Sequence, residues 1–212
     1  MAANQAHTIR EAKRALRTRV RAELARLSPA ERAAESARAC ARLAAQPLWQ
    51  AAQWVLLFAP LPQELDVWPL VTEALSAGKN VALPRFVAET QTYEACSIHN
   101  AESDVRVGHF GIREPNHHCV RLAARRLDLI LVPGVAFDLR GARLGQGKGY
   151  YDRLLREWRG TTCGVGFDQQ LADEVPLEPH DVVLNRLLTP TRWVELPPDA
   201  LRPRQPGDYR GY

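Results

Sequence analysis

The run from Asp128 to Arg153, DLILVPGVAFDLRGARLGQGKGYYDR, constrains this chain more than any other stretch. It opens on Leu129-Ile130-Leu131-Val132, which has the length and composition of a buried strand. Pro133-Gly134 ends that run, and a second apolar piece, Val135-Ala136-Phe137, leads into Asp138. A loop with Gly141, Gly145, Gly147 and Gly149 follows, carrying Arg143 and Lys148, and enters a helix-like segment from Tyr150 to Trp158. Strand, glycine-and-cation loop and helix in succession make an anion site in α/β proteins. Glycines let backbone N–H groups approach an oxyanion, and a helix N-terminus adds partial positive charge. The loop is not a Walker A motif, because Gly149 rather than Ser or Thr follows Lys148. Nor is it the dinucleotide fingerprint, since Gly145-Gln146-Gly147-Lys148-Gly149 reads GxGxG. A tight turn also needs glycines, but glycines alternating with two long side chains exceed what a turn requires. A phosphate site is the favoured reading.

The rest of the chain supplies a fold for that loop. Thr8 to Leu27 reads as an amphipathic helix with Ile9, Ala12, Leu16, Val20, Leu24 and Leu27 on one face. Lys13 falls inside the apolar arc, Arg17 on its edge, and Arg14 further round. A charge on a core-facing stripe must snorkel, pair or meet a ligand, so Lys13 and Arg17 are candidates for an anion site. Ser28-Pro29-Ala30-Glu31 is a capping box, which starts a second helix at Pro29 that runs to Ala45. Trp54 to Phe58 reads as a buried strand, and the loop after it carries Glu64 and Asp66. Asp66 is positioned to cap a helix over Val67 to Ala77, closed by Gly78. Glu64 has no such duty and lies at a strand's C-terminal end, where open α/β sheets bind ligands.

Further strands are expected at Val81 to Leu83, Thr92 to Ile98, Thr161 to Phe167, Val182 to Leu184 and Leu187 to Thr189. Strands alternating with helical segments give an α/β fold, a Rossmann-like layered sheet with helices on both faces. Glu64, Arg85, the 141–150 loop, Asp168 and Asp181 would gather near the strand ends. His117-His118-Cys119 is discounted as a zinc site, because adjacent histidines diverge and no further ligand has suitable spacing.

At 212 residues the chain is expected to form one domain over 1–195, with a flexible tail over 196–212 rich in Pro, Arg and Gly. No apolar run approaches membrane-spanning length, and the first residues lack an apolar signal core. Four cysteines without a CxxC pair read as reduced thiols, pointing to a cytoplasmic protein with no membrane partner. The net charge of +4 suits an acidic partner, either nucleic acid or a phosphorylated or polycarboxylate small molecule. Lysine occurs only at Lys13, Lys79 and Lys148 in an Arg-biased chain, a hint that a compact point charge is needed there.

These residues resemble a known family. Pro133-Gly134-Val135-Ala136-Phe137-Asp138, then Gly141, Arg143-Leu144-Gly145, Gly147 and Gly149-Tyr150-Tyr151-Asp152-Arg153, are similar to the signature of 5-formyltetrahydrofolate cyclo-ligases. The likeness extends to Lys13-Arg14-Ala15-Leu16-Arg17, Glu64, Leu83-Pro84-Arg85, Gly111-Ile112 with Glu114-Pro115, and Gly164-Val165-Gly166 through His180-Asp181.

The resemblance implies the fold of glucosamine-phosphate deaminases and CoA transferases (NagB/RpiA/CoA transferase-like) and an enzyme that uses ATP and Mg²⁺. It would convert 5-formyltetrahydrofolate, free or polyglutamylated, to 5,10-methenyltetrahydrofolate as a monomer without nucleic acid. It further implies that Lys13, Arg14, Arg17 and the run Arg143, Leu144, Gly145, Gln146, Gly147, Lys148, Gly149, Tyr150 and Tyr151 bind ATP. Lys148 and Arg143 would be catalytic, and Asp152 and Asp181 would hold Mg²⁺. Glu64 would bind the pterin ring, with Gln146, Gly147, Lys148, Gly149 and Tyr150 also touching folate. Gln146 and Tyr93 depart from the family's pattern, in the loop and in the folate pocket. The alternative is a non-catalytic relative that binds nucleotide or folate in a regulatory role.

Overall fold

The computed structural model describes residues 2–123, 126–158, 160–178 and 181–196, without the side chains of 2–6 and 110. The expected tail therefore falls, beyond residue 196, outside the described residues. The first half runs α1 (Ala2–Leu24), α2 (Pro29–Ala44), α3 (Pro47–Ala51), β1 (Trp54–Leu56), α4 (Trp68–Ser76), β2 (Asn80–Val87), β3 (Thr92–Ile98), β4 (Val105–Val107) and β5 (Arg113–Pro115). The second runs β6 (Leu129–Pro133), β7 (Ala136–Phe137), β8 (Arg143–Leu144), α5 (Tyr150–Arg156), β9 (Thr161–Val165), β10 (Arg186–Leu188) and β11 (Trp193–Glu195).

Seven strands form one sheet in the order β11-β10-β9-β6-β1-β2-β3. The inner pairs β10–β9, β9–β6, β6–β1 and β1–β2 are parallel, while the edge strands β11 and β3 run antiparallel. Central parallel strands are covered on both faces and so read as continuous apolar runs. β6 is buried at every residue. Strand alternation divides the core. Val55, Val81, Leu129 and Leu131 face a layer that includes Leu16 and Val20 of α1, Leu43 of α2 and Leu70 of α4. Leu56, Ala82, Ile130 and Val132 face Leu154 and Leu155 of α5 on the other side. The layered sheet with helices on both faces is thus the observed fold.

Local chemistry explains where the elements begin and end. The capping box of α2 is complete, with the Ser28 hydroxyl accepting from the Glu31 N–H and the Glu31 carboxylate accepting from the Ser28 N–H. α1 starts earlier than expected and stops at Leu24 rather than Leu27. Its last residues close in a tighter turn, with the Leu27 N–H donating to the Leu24 carbonyl. Asp66 accepts from the Trp68 N–H at 2.9 Å, so α4 begins at Trp68. The strand expected at 182–184 does not form. The Leu184 N–H is taken by the Gly141 carbonyl, which ties that segment to the β7–β8 turn instead of to a strand. β3 is as expected, whereas the short strands β4, β5, β7, β8 and β11 and the one-turn α3 were not legible from periodicity.

The β7–β8 hairpin hangs on Asp138, which is fully buried. Its carboxylate accepts from the N–H groups of Arg140, Ala142 and Val175 and pairs with the Arg140 guanidinium at 2.8 Å. Gly141 completes the turn with a φ of +91°, and a Cβ there would lie 2.7 Å from the Leu184 carbonyl oxygen. Only glycine meets both conditions without strain. Asp138→Ala leaves buried N–H groups without acceptors and should lower unfolding stability by about 3 kcal/mol, measured by urea denaturation. A midpoint equal to wild type would rule out this role for Asp138.

Candidate functional site

A cavity of about 330 Å³ opens beside the 145–149 loop, walled by the loop after β1, by Tyr93 of β3, by β5 and by the start of α5. The apolar floor comes from buried β1 and β6 ends, Phe58 and Pro133 among them. Tyr93 stands edge-on to Tyr150, with ring centroids 5.3 Å apart, and Tyr151 lies 5.8 Å away. Burial raises the hydroxyl of Tyr93 to about 12 and that of Tyr151 well above its ordinary value, so both act as neutral aromatic walls. Such a wall suits a flat heteroaromatic ring.

Two cations of the loop region, Lys148 and Arg143, line this space. The Lys148 ammonium has no hydrogen-bond or ion-pair partner among the described residues. The Arg143 side chain is 3% exposed, donating to the Pro133 carbonyl and pairing with Asp152 at 2.7 Å, yet its buried Nε has no acceptor. An ammonium without a protein partner at a cavity wall suits a ligand that brings oxygens. Gly147 and Gly149, on either side of Lys148, adopt φ of +99° and +67°, which fixes the loop's path there. α5 is a single helix of seven residues, so the loop rather than a helix dipole carries the positive charge.

Helix α1 approaches the same loop from the other side. Arg17 Nε donates to the Gly145 carbonyl at 2.9 Å, and Arg21 donates to the Gln146 side-chain oxygen at 2.8 Å. Arg21 was missed in the sequence, although it follows Arg17 by one helical turn. Burial holds the Arg17 guanidinium below its ordinary value, and the positive Arg21 beside it adds to the effect. Lys13 resolves its place on the apolar stripe by pairing: its ammonium lies 2.6 Å from Asp181 and 2.9 Å from Glu178. Arg14 is exposed and turned away from the cavity, and Leu144 is packed in the core with only its backbone near the loop.

Of the expected site residues, Glu64, Arg143, Gly145, Gln146, Lys148 and Gly149 share the cavity with Tyr150, Tyr151 and Asp152. Lys13, Arg17 and Asp181 lie on the α1 side of the loop. Arg85 and Asp168 do not join either group. Arg85 pairs with Glu94 at 2.7 Å and donates to the Asn116 and Cys119 carbonyls, while Asp168 accepts from the Thr189 and Thr191 hydroxyls. The discounted His118-Cys119 pair gains a neighbour that spacing did not reveal. Asp104 Oδ1 lies 3.2 Å from His118 Nε2, and Cys119 donates to the Asp104 carbonyl. Asp104 already accepts from the His99 and Asn100 N–H groups, so it caps the turn there.

Glu64 is held across its loop by accepting from the Leu61 N–H at 3.0 Å. Burial dominates over that bond and raises its carboxyl from an ordinary 4.5 to about 7. The folded protein then binds a proton that the unfolded chain has released, so stability falls as pH rises from 4.5 and the loss is complete above about 7. Glu64→Gln keeps the acceptor without the charge. Its melting temperature should pull ahead of wild type between pH 5 and 7.5 and then hold a constant lead. Parallel melting curves across that range would refute the assignment.

Comparisons with known proteins identify the family. The family profile described as 5-formyltetrahydrofolate cyclo-ligase matches residues 9–190. The chain is 32% identical to the Escherichia coli K12 5-formyltetrahydrofolate cyclo-ligase over 171 residues, covering 78% of this chain and 93% of that one. It is 28% identical to the mouse enzyme of that name over 192 residues, covering 85% and 95%. The solved structure of Aquifex aeolicus 5,10-methenyltetrahydrofolate synthetase superposes with a TM-score of 0.78 at 33% identity, covering 94% of this chain and 99% of that one. A Mycoplasma pneumoniae 5,10-methenyltetrahydrofolate synthetase, at 21% identity and TM-score 0.67, shares the fold. A loop held between α1 and the aromatic cavity, in a chain matched over nearly its whole described length, identifies this protein as a member of the 5-formyltetrahydrofolate cyclo-ligase family.

Proposed function

We propose that this chain is an ATP-dependent 5-formyltetrahydrofolate cyclo-ligase, forming 5,10-methenyltetrahydrofolate, ADP and phosphate. The observation that carries it is that Lys148 and Arg143 line the same cavity as Glu64, Tyr93, Tyr150 and Tyr151. In this chemistry the formyl oxygen attacks the γ-phosphorus of ATP and the bond to ADP breaks. N10 of the folate then attacks the activated carbon and loses its proton, and the original formyl oxygen leaves within phosphate. The substrate supplies both nucleophiles, so the protein is required to position them and to neutralise charge. That need suits the residues here, which include cations and glycines but no activated serine or cysteine. The four cysteine thiols are buried, which supports a reducing compartment such as the cytoplasm.

Lys148 is the cation suited to charge developing on the transferred phosphoryl, with Arg143 beside it. Lys13, Arg17 and the Gly145–Tyr151 loop suit the remaining phosphates. Asp152 and Asp181 fit Mg²⁺ by donor chemistry, since that ion takes one or two carboxylates and fills its shell with water and phosphate oxygens. Each is now held by a cation, Arg143 and Lys13 respectively. The ion, when bound, would supply charge neutralisation on the phosphates. Glu64 suits the N–H groups of a pterin ring, which favour its ionised form.

Two measurements test this reading. With Mg-ATP the protein should convert 5-formyltetrahydrofolate to a product with the near-ultraviolet absorbance of a methenyl folate. Lys148→Ala should lower kcat by about 10²–10³-fold while keeping its fold. No product from wild type would overturn the proposal, and ligand-induced thermal stabilisation without turnover would favour the non-catalytic alternative. Calorimetry near pH 6 in buffers of different ionisation enthalpy should show proton release on folate binding, which Glu64→Gln abolishes.

A further inference from the structure

Folate ends in a glutamyl dicarboxylate, and the geometry points to Arg113 as the residue that receives it. This inference rests on the proposed function and adds a subsite to it. Three cations line the cavity: Arg113, Arg143 and Lys148. Arg143 is buried and committed to Asp152, and Lys148 belongs to the glycine loop on the same side. Arg113 stands apart on β5, next to Ile112 and across from the loop that carries Leu61, Gln63 and Glu64.

The way Arg113 is held matches a carboxylate receptor. Its guanidinium carbon lies 4.3 Å over the Trp68 ring, and it has no carboxylate or carbonyl partner among the described residues. Stacking fixes the plane of a guanidinium while leaving its in-plane N–H donors open, and those donors match the two oxygens of a carboxylate. The next residue anchors the strand. Glu114 is 1% exposed and accepts from the His109 N–H, so β5 cannot rotate to draw Arg113 away.

Polarity along the cavity sets the direction of the ligand. The acidic Glu64 suits the ring's N–H groups, and the phosphate-binding cations lie toward α5. The cavity, about 330 Å³, is at the small end of ligand pockets, which run to about 1,000 Å³. A ring and aminobenzoyl group seated within it leave the glutamyl carboxylates at the rim, where Arg113 is exposed. A cation placed there discriminates substrates that carry the glutamate from those that lack it.

The test compares 5-formyltetrahydrofolate with 5-formyltetrahydropteroate, which has the same ring and aminobenzoyl group but no glutamate. Wild type should prefer the folate in kcat/KM by about 10-fold or more, the scale of a partly exposed charge-assisted contact. Arg113→Ala should collapse that preference toward one, chiefly through the folate KM, and Arg113→Lys should restore part of it. Binding of the two compounds, followed by calorimetry, should show the same collapse and does not depend on turnover. A preference that survives in Arg113→Ala would overturn the proposal. So would an equal loss on both compounds, which assigns Arg113 to the pocket's architecture, or a raised KM for ATP instead, which assigns it to the nucleotide. Absence of turnover by wild type would count against the cyclo-ligase reading alone, since the binding comparison still decides the role of Arg113.

Discussion

A single buried carboxylate organises the part of the molecule on which the rest depends. Asp138 sits in a turn too tight to satisfy its own amides, and its two oxygens gather the N–H groups of Arg140, Ala142 and Val175. Those bonds tie the β7–β8 hairpin to the segment approaching Glu178 and Asp181. The hairpin ends at Arg143, so the same carboxylate sets the start of the glycine loop. Burying a charge is unfavourable unless it is paired and fully hydrogen-bonded, and Asp138 meets both conditions. The signature motif is therefore part scaffold and part cavity wall: its aspartate holds the turn, and its later residues line the cavity.

Beyond that turn, several charged residues of the site pair with one another. Lys13 pairs with Asp181 and Glu178, and Arg143 pairs with Asp152. These pairs hold the cations and carboxylates that the proposed function assigns to phosphate and to a metal ion. Taking up the proposed nucleotide with its cation would exchange partners within both pairs, and removing one partner of a buried pair without replacing it is unfavourable.

How much of this was legible depended on the range of the interaction. The capping box at Ser28, the buried strand at Leu129 and the amphipathic α1 are local patterns, and the sequence displayed them. Lys13 stood out because a lysine on an apolar stripe violates periodicity, but its partners were invisible at a separation of 168 residues. Asp168 follows β9 as expected, whereas Arg85 lies within β2 rather than at its end, and the side chains of both turn into structural hydrogen bonds that no spacing reveals. The segment 182–184 has the composition of a strand, and the Gly141 carbonyl captures its backbone instead. Arg21 and Arg113 carried no motif, and only the packing of α1 on the loop and of β5 on Trp68 gave them meaning.

The reach of α1 has a consequence for how the molecule is made. Lys13 is synthesised 165 residues before Glu178 and 168 before Asp181. Until then the Lys13 ammonium on its apolar stripe has neither of these two counter-charges. Chains grow from the N-terminus at about 5–20 residues per second, so that interval lasts many seconds. The α1 side of the loop is consequently among the later features to close. A nascent or interrupted chain would present α1 as an uncovered basic amphipathic helix, a form that chaperones can recognise before any catalytic surface exists.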